Sequence, residues 1–378
     1  MKRLIAVNGL FTFISTCLAV IIPLYLLNNN FDLSTIGFIL SIGPLSFLVL
    51  RLVFSVAADN LGTRHINILS SCSNAISIIV YAIANSPLFF GLGIIIEGIR
   101  NASFWAVART DIIHNTKEHL EEALARYAFI RQLFDGLARV FAGVFITYLA
   151  FEGSFLLLFI LSIAYMLLTM KSKNLKMQKR YEKMHFLDRI FKKRSFVFWH
   201  ASLLELFFFL ASNTLLVLLL PLYLKAGMNF SYEETGVMLA IFSLAIATGA
   251  FVSMRWHLNK RGLIIVTFGM VPLLVLLPYF TSETILILVL IALANGCGYV
   301  VVEYIVMDQI YRSKDISTDL GVLFAPLKLG EFILFALSGV IINRFGFGAM
   351  FFICALSMAL FVIFGLLALR KPVNNQII

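Results

Sequence analysis

The sequence predicts an all-α membrane protein in which about twelve helices cross the bilayer. Hydrophobic residues make up 61% of the 378 residues and charged residues only 13%, whereas soluble domains are near half apolar and about a quarter charged. Apolar segments of roughly 20 residues recur along the whole chain, and basic residues concentrate in every second loop between them. The excess of apolar side chains therefore faces lipid, and most of the chain lies within the membrane.

The apolar segments set the order of the predicted helices. Each has roughly the 20 apolar residues that a helix needs to cross the hydrocarbon core. The first follows Met1-Lys2-Arg3, is too long for a signal peptide and lacks a small-residue cleavage pattern, so we expect it to remain as a span. The segments lie near residues 4–27, 35–56, 66–85, 88–109, 127–150, 154–171, 197–224, 235–254, 263–280, 284–306, 319–342 and 348–370.

The distribution of Lys and Arg predicts that both ends of the chain are cytoplasmic. One set of alternate loops has only Lys225 and Arg344, and the other set holds the remaining loop residues with basic side chains. Loops rich in Lys and Arg stay on the cytoplasmic side. The net charge of +10 is explained by these loops, so it does not indicate nucleic-acid binding. The cytoplasmic set is Lys2, Arg3, Arg64, Arg109, Lys117, Arg126, Arg255, Lys260, Arg261, Arg312, Lys314, Arg370, Lys371 and the ten basic residues between Lys171 and Arg194.

Residues 171–196 form the one long connector that the sequence predicts. The stretch is rich in Lys and Arg, and we expect it to lie in solvent against anionic lipid headgroups; a binding site for a regulatory partner is the alternative. The four cysteines, by contrast, all fall inside apolar segments. Their spacing fits neither a disulfide framework nor a zinc site, and we expect no metal and no cofactor.

The segments on either side of the connector repeat each other. Pro23-Leu24-Tyr25-Leu26 recurs as Pro221-Leu222-Tyr223-Leu224, shifted by 198 residues. Other matches keep nearly the same shift, and a constant shift over ten helices indicates duplication. They pair Phe31 with Phe230, Gly37 with Gly236, Gly98 with Gly296, Asp111 with Asp308, Asp135 with Glu331, and Gly143 with Gly339.

This plan resembles the major facilitator superfamily, and one loop adds a motif. Residues 55–64, SVAADNLGTR, are similar to the family's G-x-x-x-D-R-x-G-R-R signature: Asp59, Gly62 and Arg64 match, and three other positions depart. The resemblance implies two six-helix bundles, an N-terminal bundle at 1–170 and a C-terminal bundle at 197–378, joined by the basic cytoplasmic linker 171–196. It also implies a substrate site near the midplane and rocking of the halves to give alternating access.

The same loop predicts a cytoplasmic gate. Gly62 permits a tight turn between two helices, and Asp59 sits at a helix end where its charge can lock to the other half. The proposed gate comprises Asp59, Gly62, Arg64, Asp111 and Arg126. The alternative is that these charges only anchor helix ends at the membrane surface.

Two positions depart from the drug/proton antiporter branch of the family. That branch has an Arg where this chain has Ile94, and a Gly-Pro pair where this chain has only Gly143. The resemblance therefore argues against a typical drug antiporter.

Charged side chains inside the predicted spans are the candidate functional residues. A charge at the bilayer centre costs at least roughly 2.5–3.5 kcal/mol, so each needs a partner or a wet cavity. We expect Glu205 or Glu331 to carry a coupling proton, since buried carboxylates readily shift towards neutrality. The alternative for spans 4 and 5 is a structural network in which Glu97 pairs with Arg139 or Arg131 and Asp135 lies between its neighbours, and which only holds the first half together. The substrate or proton-coupling set is Glu97, Arg100, Asn101, Arg131, Asp135, Arg139, Glu205, Asn213, Lys328 and Glu331.

The charges of the two halves predict the polarity of a cavity between them. The first half has a surplus of two positive charges and the second a surplus of two negative charges when Arg51 and Glu303 are included. Opposite potentials on two walls would favour a zwitterion, and the arginines of the first half would favour an organic anion.

No nucleotide-binding loop, zinc spacing or Ser-His-Asp arrangement occurs in the sequence, so we expect neither ATP-driven transport nor an enzyme. We expect a monomeric secondary transporter in the plasma membrane that moves a small polar or charged solute, coupled to protons. The alternatives are a multidrug or other efflux antiporter of the same fold, a non-transporting membrane sensor or scaffold, and a membrane enzyme acting on lipid-linked substrates.

Overall fold

The computed structural model describes residues 2–61, 63–115, 120–171, 192–255, 259–280, 283–311 and 316–368. Its helices in the first half are α1 (Lys2–Asn28), α2 (Leu33–Leu61), α3 (Thr63–Ile83), α4 (Pro87–Asn115), and the stretch Leu120–Met170. Ala150 breaks that stretch with φ 55° and ψ −173°. We therefore treat it as two helices, α5 (120–149) and α6 (151–170).

The second half follows the same pattern. Its helices are α7 (Phe196–Gly227), which includes two π-helical turns, α8 (Tyr232–Arg255), α9 (Lys260–Phe268 and Met270–Leu276) and α10 (Thr284–Tyr311). The stretch Ala325–Ala368 breaks at Gly346, with φ 78° and ψ 174°. Together with the short helix Ile316–Leu323 it supplies α11 (316–345) and α12 (347–368). Ala150 and Gly346 occupy equivalent places, so the duplication extends to these turns.

These helices agree with the predicted spans, and several are longer. Within the described ranges, eight helical stretches are long and apolar enough to cross a membrane, and two of them, Ile130–Met170 and Thr318–Leu367, contain two helices each. α2 continues beyond the predicted residue 56 to Leu61, and α4 beyond 109 to Asn115. Hydropathy marks only the part of a helix inside the hydrocarbon, whereas helices continue into the headgroup region. The added turns are at the ends of α2 and α4, and both of these ends lie on the same side of the molecule.

Helix termini define two faces of the molecule. We call the end that holds Lys2 and Ala368 the terminal face and the other end the opposite face. α1 ends at the opposite face with Asn30 at φ 60°, where Phe31 N–H donates to the Leu26 carbonyl at 3.2 Å. This is the hydrogen bond of a Schellman turn, in which Asn tolerates the left-handed conformation. Asn229 ends α7 with the same left-handed conformation, φ 58°, and there Phe230 N–H donates to the Leu224 carbonyl at 3.0 Å, one residue further back.

The two halves meet along two helix pairs. α1 packs on α5, α2 on α4, and α3 on both α4 and α6; in the second half α8 packs on α10, and α7 on the α11–α12 stretch. Contacts between α2 and α11 and between α5 and α8 join the halves. Gly98 of α4 lies against Ser46 of α2, and its counterpart Gly296 of α10 lies against Ile246 of α8. The repeat in the sequence is therefore a repeat in packing.

Candidate functional site

A polar cavity lies between the halves, about midway along the helices. Its volume is about 280 Å³, and α1, α2 and α4 line one wall while α7 and α11 line the other. Phe47, Ile94, Val217 and Phe335 contribute apolar surface. Five of the ten residues predicted for substrate or proton coupling line it: Glu97, Asn101, Asn213, Lys328 and Glu331.

The first-half wall presents a fixed carboxylate. Arg100 donates to Glu97 Oε1 at 2.6 Å, and Tyr81 Oη donates to Glu97 Oε2 at 2.7 Å. Arg100 is fully buried, whereas 19% of the Glu97 side chain is exposed. Asn74 and Ser15 accept further hydrogen bonds from the guanidinium, each at 3.0 Å. Each carboxylate oxygen of Glu97 thus has a donor within the first half.

Arg100 also orients the Asn101 amide. Its Nε and Nη2 donate to Asn101 Oδ1 at 3.3 and 3.1 Å. A guanidinium can only donate, so the amide oxygen must face Arg100. The Asn101 NH₂ group is left to the cavity, and no hydrogen bond within the described part of the chain occupies it.

The second-half wall centres on Glu331. Lys328 Nζ lies 2.7 Å from Glu331 Oε2, and Asn213 Nδ2 donates to Glu331 Oε1 at 2.6 Å. The Glu331 side chain is 3% exposed and Lys328 19%, with the Lys328 ammonium 5.2 Å from the Phe47 ring centroid. Because Glu331 takes the Asn213 NH₂ group, the Asn213 amide oxygen remains as an acceptor at the cavity.

Irregular backbone in α1, α2 and α7 bends these helices and provides carbonyl hydrogen-bond acceptors at the depth of the cavity. Asn213 directly precedes the π-helical turn Thr214–Leu219, and such turns occur frequently at functional sites. Pro23 and Pro44 line the cavity. Proline has no N–H, so the carbonyls of Ala19 and Leu40, four residues earlier, lack their usual helical donors. Both of those residues also line the cavity.

A repeat-related carboxylate lies outside the cavity lining. Asp135 on α5 pairs with Arg139 at 3.1 Å and accepts from Thr16 on α1 at 2.7 Å. Glu331 on α11 and Asn213 on α7 form the counterpart of Asp135 and Thr16. Each half therefore has a carboxylate that links its fifth helix to its first. Only the second-half unit lines the cavity.

The remaining predicted residues lie away from the cavity lining. Arg131 Nη2 is 3.4 Å from Tyr299 Oη, nearer the terminal face, and its guanidinium lies 5.2 Å from the Trp105 ring centroid. Glu205 is fully buried within α7. Glu97 pairs with Arg100 and not with Arg131 or Arg139, so the predicted network of spans 4 and 5 was wrong for Glu97. Asp135 does pair with its neighbour Arg139, as that network expected.

Most of the predicted gate lies outside the described residues. Gly62 is not described, nor are the side chains of Asp59, Asp111 and Arg126. Arg64 Nη2 donates to the Met170 carbonyl at 2.9 Å, which ties the start of α3 to the end of α6. The connector 171–196 likewise lies mostly outside the described ranges.

Glycines close the opposite face. Gly143 of α5 meets Gly236 of α8, where an added Cβ on Gly143 would lie 2.6 Å from the Tyr232 carbonyl. Their repeat counterparts, Gly339 and Gly37, meet between α11 and α2, and a Cβ on Gly339 would overlap the Leu33 carbonyl. Backbones can approach this closely only where both residues lack a side chain. Two symmetry-related glycine pairs thus hold the two halves in close backbone contact at this face.

Sequence reasoning missed the residues that orient the charges. Tyr81 and Asn74 of α3 and Ser15 and Thr16 of α1 hold Glu97, Arg100 and Asp135. A signal exists in α3, where buried polar residues recur on one face: Asn67, Ser70, Ser71, Asn74, Ser77 and Tyr81. No group of three or more His, Cys, Asp or Glu side chains that could hold a metal occurs in the described ranges.

Comparisons with known proteins agree with this architecture. The family model "Major Facilitator Superfamily" matches residues 4–311 and, in a second match, 202–376. The nucleoside transporter NupG has 14% identity and a TM-score of 0.72, covering 98% of this chain and 99% of that one. The D-xylose-proton symporter has 14% identity and a TM-score of 0.77, covering 96% of each. No curated protein matches the sequence.

Proposed function

The chain belongs to the Major Facilitator Superfamily, and we propose that, as a secondary transporter of this family, it moves a small polar solute coupled to protons. We place it as a monomer in the plasma membrane with both ends in the cytoplasm, since the basic loops share the side of the termini. The observation that carries the proposal is the polar cavity between the halves, in which five candidate residues converge.

The size of the cavity supports a small solute. Its volume of about 280 Å³ lies just below the roughly 300–1,000 Å³ typical of sites for drug-sized ligands. Ionisable and amide groups also line the cavity, and a hydrophobic drug would have to desolvate them without compensation. Both features favour a small polar solute over the multidrug alternative.

The solved structures that share the fold include transporters of small polar solutes. One is a nucleoside transporter and another is a D-xylose-proton symporter. At 14% identity these structures share only their fold with this chain. The solutes in their names therefore serve as candidates for a screen. The second of these proteins is a proton symporter by name, which agrees with a carboxylate in the cavity wall that couples transport to protons.

Glu331 is the residue that we assign to proton coupling. When ionised, it accepts from Asn213 and pairs with Lys328. A proton on Glu331 removes the charge that holds Lys328 and so frees the ammonium towards the cavity. The protonation state therefore changes what the wall offers to a solute, which is the requirement for coupling. Glu205 does not line the cavity and cannot act on the solute in this direct way.

Alternating access then requires gates at both faces. The glycine pairs form the gate at the opposite face. We assign the gate at the terminal face to the charged residues predicted around Asp59 and Arg126. Proton and solute would bind with one face open, and the halves would rock about the cavity.

Purified protein in proteoliposomes tests the coupling. Wild type should accumulate its solute when a pH gradient is imposed, and Glu331→Gln should lose accumulation while keeping counterflow exchange, which moves no net proton. Glu205→Gln is the matched control, a second buried carboxylate that should keep accumulation. Accumulation by Glu331→Gln at the wild-type level would refute the assignment.

A further inference from the structure

We infer that a groove on the lipid-facing surface of the second half binds one anionic phospholipid, with an acyl chain in the groove and the headgroup phosphate on Arg344. The groove lies between the end of α9, α11 and the start of α12, at the opposite face, and its volume is about 460 Å³. It shares no lining residue with the cavity between the halves. The lipid site is therefore separate from the path of the solute.

Small residues at the start of α12 form the floor of the groove, and aromatic rings rise beside them. Gly348 and Ala349 line the groove, and Gly348 lies against Pro278, which an added Cβ would meet at 3.8 Å. Tyr279, just after α9, and Phe345, at the end of α11, line it from the neighbouring helices and are 77% and 73% exposed. Exposed aromatic side chains are concentrated at the level of the lipid headgroups, which places the mouth of the groove there.

The groove continues from the headgroup region into the hydrocarbon. The chain turns at Gly346, and Ile353, seven residues further on, still lines the groove, which corresponds to a depth of about 10 Å at 1.5 Å per residue. An acyl chain occupies this depth in a bilayer. Because lipid tails are as apolar as the groove itself, contact with the tail does not favour one phospholipid over another. The headgroup must therefore decide which phospholipid is retained.

Arg344 supplies a positive charge at the mouth of the groove. It lies three residues after Ile341, which lines the groove, so the two side chains share one face of α11. The Arg344 side chain is exposed and forms no hydrogen bond or ion pair with the described part of the chain, and a guanidinium can bond two oxygens of a phosphate. Lys225, the other basic residue predicted for this side, already donates to the Phe230 carbonyl at 3.0 Å.

The equivalent surface of the first half has a different charge. At the shift of 196 residues that relates the two helix breaks, Tyr148 takes the place of Arg344. Glu152 takes the place of Gly348 at the same shift, and it is exposed. A carboxylate at that position would repel a phosphate, and its side chain would cover the floor that glycine leaves open. The repeat therefore predicts an anionic lipid on the second half alone.

Quenching of a tryptophan in the groove by brominated lipid tests which lipid is bound. Phe352→Trp places the reporter at a lining residue that is 58% exposed, and wild-type protein gives the emission of the three native tryptophans for subtraction. The full chain is reconstituted in vesicles of phosphatidylcholine with a rising fraction of phosphatidylglycerol, and either lipid carries the bromine on its acyl chains. We expect the reporter to prefer phosphatidylglycerol about fivefold, the gain from one cation close to an anionic headgroup.

Three variants assign that preference to the site. Arg344→Gln in the same background should abolish it, whereas Lys225→Gln, which removes the same charge from the same face, should leave it unchanged. Leu156→Trp is the matched reporter, since Leu156 has the repeat position of Phe352 and is 62% exposed, and it should show no preference. Equal quenching by both lipids at Phe352→Trp overturns the site. A preference that survives Arg344→Gln, disappears equally in Lys225→Gln or is matched at Leu156→Trp also overturns it, because the charge of the whole surface would then explain the result.

Discussion

Gly143→Ala should open the opposite face of the transporter. The added Cβ would lie 2.6 Å from the Tyr232 carbonyl and 3.1 Å from the Gly236 Cα, whereas ordinary contact begins at 3.4 Å. α5 and α8 must therefore separate locally by about 0.8 Å, because the opposing atoms belong to the backbone and no side chain can rotate away. Overpacking of this kind costs roughly 1–3 kcal/mol.

That cost falls on one conformation only. In a transporter that alternates, the two helices separate at this face when it opens, and the methyl group then has room. A penalty of about 1–3 kcal/mol confined to the closed state shifts the balance towards the open state by roughly 5- to 150-fold. The repeat counterpart of this contact, between Gly339 and Gly37, predicts the same direction for Gly339→Ala.

Alkylation of a cavity cysteine measures the shift. In a protein whose four native cysteines are replaced, Val217→Cys places a thiol in the cavity wall, and a membrane-impermeant maleimide reaches it only through an open opposite face. Gly143→Ala should raise the labelling rate of sealed cells. Gly348→Ala is the control, since its Cβ would meet no atom closer than 3.8 Å. Equal rates in the two folded variants would refute the reasoning.

Three further changes probe the scaffold. Ala150→Gly should raise thermal stability by about 1 kcal/mol, because Ala150 has φ 55° and ψ −173°, a region that only glycine occupies without strain; an unchanged or lower melting temperature would oppose this. Arg100→Lys should lower both transport and stability, since an ammonium cannot reproduce the planar set of N–H groups that bonds Glu97, Asn74 and Asn101 together; wild-type uptake would contradict it. Asp32 Oδ2 accepts from the backbone N–H groups of Ser34 and Thr35 and so caps the start of α2, and Asp32→Ala should cost roughly 0.5–2 kcal/mol. The hydrogen bond from the Thr35 hydroxyl holds the pKa of Asp32 below its usual range. The stabilisation by Asp32 is therefore present at neutral pH and should be lost as the pH falls through that lowered pKa. Unfolding measured at a series of pH values checks this.

The fold could be read from the sequence because its signals are local. Apolar length predicts each span, and the break between the segments predicted at 127–150 and 154–171 occurs at Ala150. The repeat pairs also marked residues that join the halves. Gly143 and Gly236 belong to two different repeat matches, and they contact each other at the opposite face, as their counterparts Gly339 and Gly37 do.

The pairing of charges could not be read in the same way. Glu97 has Arg100 three residues away, a spacing at which side chains on one helix interact, but spacing within one helix cannot rank Arg100 against the arginines of the next helix. The choice depends on helix rotation and on neutral residues such as Tyr81, which carry no charge to attract notice.

The most direct test of the account follows protons as the solute moves. Proteoliposomes with wild-type protein are suspended in weak buffer without a pH gradient, and a solute identified by an uptake screen is added outside. The account predicts that the external medium becomes more alkaline as solute and protons enter together, and that Glu331→Gln abolishes this change while counterflow continues. Solute entry without alkalinisation by wild type, or the same alkalinisation by Glu331→Gln, would contradict it.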